Sequence, residues 1–142
     1  MAYLTREDHT QPLTFNYIPE FGEVDPVPDA DELQKYLTIN PGLTSLKIQG
    51  GKLSLELAKM LAENKTITEL CLEGTRLPRD FTATLLQSTT IRKLTLWIVY
   101  EWGIRLRENN VMTIASSEVI TDLYLCGCGF GQDGFDALLR NK

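Results

Sequence analysis

A spaced aliphatic pattern, L-x-x-L-x-L, occurs four times in this chain and constrains its fold more than any other feature. The first residues of the copies lie 24, 24 and 29 positions apart. Such a period is typical of solenoids, whose units bury their apolar faces only by stacking. The chain is therefore predicted to form a stack of similar units. The four copies are Leu43-Leu46-Ile48, Ile67-Leu70-Leu72, Ile91-Leu94-Leu96 and Ile120-Leu123-Leu125.

Each copy follows the same local sequence, with an aliphatic residue six positions before it and a small polar residue three positions before it. The last two apolar residues of a copy alternate as in a strand, so they point to one face. Apolar residues three to five positions apart predict a short helix before each strand. Parallel strands with right-handed crossovers follow, with all helices on one side. Strands are predicted at 45–48, 69–72, 93–96 and 122–125, and helices at 31–37, 54–62, 80–86, 111–116 and 134–140.

This arrangement resembles the leucine-rich repeat family, in a divergent ribonuclease-inhibitor-like type, over about residues 30–142. Leu53, Leu77 and Phe130 stand at the eleventh motif position, as the family pattern L-x-x-L-x-L-x-x-N/C-x-L requires. The resemblance implies an α/β solenoid, a short horseshoe arc with parallel strands on the concave side and short helices on the convex side. The ninth position, Asn or Cys in the family, departs from the pattern in all units but the last: it holds Gly51, Thr75, Val99 and Cys128.

Residues 1–28 lie outside the repeat and form an acidic segment that contains prolines. From Glu7 to Glu32 there are eight acidic residues and no lysine or arginine. Prolines disfavour a helix, so an extended cap or linker is predicted. The alternative is an acidic peptide that engages a basic partner. Residues 29–142 form the repeat domain of about four strand units, and the 24-residue period allows the array to continue beyond the chain end.

Composition and charge favour a folded domain of the cytoplasm. The chain has 142 residues, of which 43% are hydrophobic, enough for one core. Its net charge of −5 argues against nucleic acid as the main partner. No apolar run approaches the roughly 18 residues that span a membrane, and no signal peptide is visible. Three cysteines without a disulfide pattern are consistent with a reducing compartment.

No motif in the chain indicates an enzyme. The segment 129–134 matches G-x-G-x-x-G, but the second strand and the acidic ribose partner of a dinucleotide site do not follow. The one histidine, His9, lies in the acidic segment, which leaves no triad. We predict no catalytic residue, no cofactor and no metal site.

The function predicted instead is a non-catalytic protein–protein interaction module, a scaffold that presents its concave strand surface to another protein. Aromatic side chains dominate binding hot spots, and two of them stand among mixed charges at outward strand positions. An uncovered repeat end would also favour a homodimer. The predicted binding residues are Lys47, Gln49, Glu69, Glu73, Lys93, Thr95, Trp97, Asp122 and Tyr124.

Two alternatives stay open at this point. The first is a small α/β enzyme domain with an unrecognised site, although a doubly wound sheet needs units of about 30 residues or more. The second concerns the five extra residues of the third unit, between Trp97 and Asn110. This insertion carries Tyr100 and Trp102, and it forms either a binding loop or additional packing.

Overall fold

Alternating apolar residues form strands and apolar residues at helical spacing form helices in the structure, which is a computed structural model. It describes residues 2–5, 14–17, 30–49, 52–75, 77–78, 80–97, 108–126 and 132–140. The strands are β1 (Ala2–Thr5), β2 (Thr14–Tyr17), β3 (Ser45–Gln49), β4 (Glu69–Glu73), β5 (Lys93–Trp97) and β6 (Asp122–Cys126). The helices are α1 (Ala30–Ile39), α2 (Leu55–Glu63), α3 (Phe81–Leu85), α4 (Glu108–Ala115) and α5 (Gln132–Arg140).

The six described strands form one sheet in chain order, β1 to β6. Strands β2 to β6 are parallel, and β1 is antiparallel to β2. The four strands predicted from the repeat are confirmed, and each extends one residue further than predicted. The protein is thus an α/β structure with a parallel sheet and short helices.

The pairing register repeats with the sequence period. Leu46 pairs with Leu70, Leu70 with Leu94 and Leu94 with Leu123, so one apolar row crosses β3 to β6. Two positions further on, a second apolar row runs parallel to the first. Because side chains alternate along a strand, both rows lie on the same face of the sheet. The second row is Ile48, Leu72, Leu96 and Leu125.

The helices pack against these two rows and form the core. Neighbouring helices contact one another from α1 to α5 in chain order. One apolar residue of each unit, six positions before its repeat, reaches the core from the helix. Full burial of such side chains stabilises by about 1.5–3 kcal/mol each. These residues are Leu37, Leu61, Leu85 and Ile114, and all of them are buried.

The small polar residue before β4, β5 and β6 closes the turn between helix and strand. Asn64 Oδ1 accepts hydrogen bonds from the backbone N–H groups of Thr66 and Ile67, at 2.9 and 2.8 Å. Ser88 Oγ and Ser117 Oγ accept equivalent pairs of bonds two and three residues downstream. The side chain thus satisfies donors that have no strand partner, which explains why this position is polar in these three units. In the first unit Asn40 instead donates its side-chain amide to the carbonyl oxygen of Tyr36, at 2.9 Å.

The N-terminal segment adds two strands that the repeat pattern does not predict. Strand β2 runs parallel to β3, and its backbone register pairs Phe15 with Leu46 and Tyr17 with Ile48. The alternation of Phe15 and Tyr17 with polar neighbours is a strand pattern over only four residues. The division of the chain at residue 28, and the role of the segment as cap or linker, remain predictions.

Strand β6 departs from the burial pattern of the other repeat strands. Leu123 is 36% exposed, whereas its row neighbours Leu46, Leu70 and Leu94 are at most 1% exposed. The reason is that β6 has a neighbouring strand on one side only in the described sheet.

Several predicted features lie outside the described residues. They are the insertion of the third unit, the ninth-position residues Gly51, Val99 and Cys128, Phe130, and the glycines 129 and 131. Within the described part of the chain, no helix is both long and apolar enough to cross a membrane.

Candidate functional site

The face of β3–β6 that points away from the helices, here called the strand face, brings all nine predicted binding residues together. Three rows of paired residues cross it, one at each outward strand position. These rows are Ser45, Glu69, Lys93 and Asp122; Lys47, Cys71, Thr95 and Tyr124; and Gln49, Glu73, Trp97 and Cys126. The pairing register of 24, 24 and 29 residues creates these rows, because equivalent positions of successive units become neighbours.

The half of the strand face on β3 and β4 is charged, and its charges pair within the protein. Lys47 Nζ lies 2.7 Å from Glu73 Oε2, and Gln49 Nε2 donates to Glu73 Oε1 at 3.1 Å. The hydrogen bond from Lys47 is the main reason that the pKa of the Glu73 carboxyl falls below its ordinary value. On β5, Lys93 Nζ lies 3.9 Å from Glu69 Oε2. Glu69 and Glu73 are therefore each held by a lysine of a neighbouring strand.

Cys71 lies on β4 among these charges and is partly buried. Burial raises the pKa of its thiol above the ordinary value, and this effect outweighs the opposing influence of Lys47. A cysteine acts as a nucleophile or metal ligand through its thiolate. Because its thiol stays protonated, Cys71 is better suited to packing on the strand face than to acting as a nucleophile or a metal ligand.

The half of the strand face on β5 and β6 is aromatic and accessible. Trp97 is 46% exposed and Tyr124 is 58% exposed, on neighbouring strands and adjacent rows. The backbone of Trp97 is fixed by a 2.6 Å hydrogen bond from the N–H of Gly74 to its carbonyl oxygen. Gly74 follows β4 with a φ of 62°, a conformation that glycine adopts without steric cost.

A groove of about 750 Å³ lies at the β6 end of the molecule, between α4, the turn before β6, and α5. Its apolar lining includes Ile114, Ile120, Leu123 and Leu138, and its rim carries polar and charged side chains. The sequence analysis did not identify this groove. The structure reveals the groove through Leu123, which is exposed although the other members of its apolar row are buried.

The sequence placed the binding residues on one face but could not show which of them pair. Lys47 and Glu73 stand on different rows, so their ion pair is a diagonal contact that depends on side-chain conformation. Among the described residues, no group of three or more histidines, cysteines or acidic residues could hold a metal ion.

Comparison of the chain with protein-family models, with curated proteins and with solved structures gives no match.

Proposed function

We propose that this protein is a non-catalytic interaction module of the leucine-rich repeat type, whose strand face is concave and binds another protein. The observation that carries the proposal is the exposure of Trp97 and Tyr124 side by side on the strand face. Removing the apolar surface of an exposed tryptophan from water is favourable, and this requires another molecule to cover the side chain. Two such side chains on neighbouring strands are an anchor for a partner protein.

The solenoid part of the proposal is supported by the repeated junctions. The carbonyl oxygens of Thr44, Thr68 and Arg92 each accept two N–H groups from the next unit, at 2.8 and 3.1 Å. Junctions that repeat the same bond pattern are typical of stacked repeats, in which each unit contacts its neighbours. Helices pack about 8–10 Å apart and strands about 4.8 Å apart, so a helix layer on one side would curve the sheet toward the strand face.

The partner chemistry follows from the charges of the strand face. The carboxylates of Glu69 and Glu73 already face lysines, so this half of the surface offers no excess of one sign. The whole chain carries a net charge of −5, which disfavours a polyanion such as nucleic acid. We therefore assign the strand face to another protein in the cytoplasm, with the aromatic half as anchor and the charged half setting orientation.

The test is binding by aromatic variants of the full chain. Affinity capture with the intact protein supplies the partner, and calorimetry measures its affinity for the wild type and for Trp97→Ala/Tyr124→Ala. We expect the double variant to lose about 2 kcal/mol or more, since aromatic anchors dominate hot spots. Circular dichroism should show an unchanged fold, because both side chains are exposed.

The matched control is Lys59→Ala/Gln87→Ala, which changes two exposed residues outside the strand face. These substitutions should leave the affinity unchanged. If the aromatic double variant binds normally while the control loses binding, the site lies on the helical side of the molecule and the proposal is wrong.

A further inference from the structure

The two ion pairs of the strand face differ in how closely their charges approach. Glu73 lies 2.7 Å from Lys47 and also accepts a hydrogen bond from Gln49, and the side chains of the ion pair are only 21% and 33% exposed. In the second pair Lys93 and Glu69 are 3.9 Å apart, near the limit of an ion pair, with side chains 54% and 42% exposed. Glu73 is thus occupied within the protein, whereas Glu69 is held by one distant lysine.

The row of the strand face that contains this loose pair carries more negative than positive charge. Lys93 on β5 pairs in register with Glu69 on β4 and with Asp122 on β6, so one lysine stands between two acidic residues. Among the described residues, Lys93 is the one side chain that contacts the carboxylate of Glu69. A carboxylate has about four lone-pair sites, so that of Glu69 keeps capacity for a charged donor from another molecule.

Glu69 and Trp97 lie inside the sheet and close enough together for one partner to contact both. Strands β4 and β5 each have a neighbouring strand on both sides, so this part of the strand face does not depend on a sheet edge. Trp97 stands four residues after Lys93 on the same strand and the same face. With about 3.3 Å per residue along a strand and about 4.8 Å between strands, the backbones of Glu69 and Trp97 are about 14 Å apart.

We propose that the partner of the strand face presents a basic side chain, lysine or arginine, to Glu69 while it covers Trp97 with an apolar side chain. The inference rests on the proposed function and names the chemistry of its partner. The partner's basic group takes the place of Lys93 beside Glu69. Because Asp122 stands on the other side of Lys93, that lysine keeps an acidic neighbour after the exchange. The net charge of −5 attracts a basic partner at longer range as well.

The test compares the neutralisation of each member of the loose pair. The probe is the protein that the intact chain captures in the test of the proposed function, and calorimetry measures its affinity for variants of the full chain. Glu69→Gln should weaken binding about threefold or more, because the partner's basic group loses its counter-charge. Lys93→Gln should strengthen binding about twofold or more, because it removes the group that competes for Glu69.

The matched controls carry the same charge changes outside the strand face. Glu63→Gln and Lys59→Gln replace exposed residues of α2 and alter the net charge by the same amounts. Both should bind the partner as the wild type does. High ionic strength should reduce the difference between Glu69→Gln and the wild type, because salt screens exposed charges. A difference that salt does not change would come from packing and would overturn the inference.

Two further results would overturn it. An acidic partner reverses both signs, so that Glu69→Gln strengthens binding and Lys93→Gln weakens it. A basic partner that binds elsewhere gives Glu69→Gln the same affinity as Glu63→Gln. Both results are distinct from a failure of the proposed function, in which the chain captures no protein or Trp97→Ala/Tyr124→Ala binds as the wild type does. Should Glu69→Gln change the circular dichroism spectrum, Glu69→Thr replaces it with the same expected result, because threonine suits a strand.

Discussion

At the scale of single residues, Lys47 and Glu73 are the clearest case of a contact set by the sheet register. The 24-residue pairing brings β3 and β4 together, and the two side chains then meet diagonally at 2.7 Å. Side-chain exposures of 33% and 21% mean that water screens the pair only partly. A pair of this exposure is worth about 0.2–1 kcal/mol, so it orients the surface more than it stabilises the fold.

The pair predicts a pH-dependent contribution to stability. The pKa of Glu73 is lower in the folded state than in the unfolded state. Its contribution is therefore full above the unfolded pKa and is lost as the pH falls through the folded pKa. Glu73→Gln should lower the free energy of unfolding in urea by about 0.2–1 kcal/mol at neutral pH, and by less in acid.

The control for this prediction is Glu63→Gln, which removes an exposed carboxylate on α2. We expect it to show little loss of stability at either pH. A Glu73→Gln penalty that stays constant from neutral to acid pH would show that the loss comes from packing and not from charge.

At the scale of secondary-structure elements, the polar residue before β4, β5 and β6 fixes the turn between helix and strand. Asn64 is the best example, because its Oδ1 accepts from two backbone donors and one of them belongs to the fully buried Ile67. The next two units use serine for the same bonds, at 3.2 Å each. The requirement is thus for a short side-chain acceptor and not for one residue type.

This requirement gives a prediction with a built-in control. Asn64→Ala should lower the free energy of unfolding by about 1–2 kcal/mol, because the N–H groups of Thr66 and Ile67 lose their acceptor. Asn64→Asp keeps an oxygen at the same position and should cost much less. Chemical denaturation of both variants measures the difference. Equal losses would mean that the side chain acts through its amide group instead.

The elements most accessible to sequence analysis are those that the apolar spacing itself encodes. Strands β3 to β6 follow from L-x-x-L-x-L, and the rows of the strand face follow from their shared register. Strands β1 and β2 could not be predicted, since four residues each carry too little alternation and their pairing depends on the exposed edge of β3. The ion pairs could not be predicted either, because they depend on side-chain conformations that spacing does not specify.

At the scale of the whole molecule, the fold is a sum of similar junctions. The backbone bonds from Thr68 to Thr44 and from Arg92 to Thr68 are both 2.8 Å long and both span 24 residues. In the proposed solenoid, stability is approximately a sum of unit terms and nearest-neighbour interface terms. Loss of one whole unit should then leave every remaining junction intact.

Excision of residues 64–87 tests this expectation. The variant joins Glu63 to Ser88, so that β5 follows α2 and Leu94 takes the row position of Leu70. We expect a single cooperative unfolding transition at a lower temperature, because one interface is lost. Excision of residues 64–75 removes β4 but leaves α3, and it should abolish cooperative unfolding. Thermal denaturation followed by circular dichroism compares the two, and equal behaviour would contradict a modular stack.

The similar loop lengths between paired strands also have a consequence for how the chain folds. Pairing β3 with β4, β4 with β5 and β5 with β6 closes loops of 24, 24 and 29 residues, and loop entropy changes slowly with length. The entropic cost of loop closure is therefore similar for all three junctions and does not determine which of them forms first. The order of assembly is left to local packing around the buried side chains of each unit, such as Leu61 and Ile67. A substitution in a single unit should thus be able to redirect the folding pathway without changing the final structure.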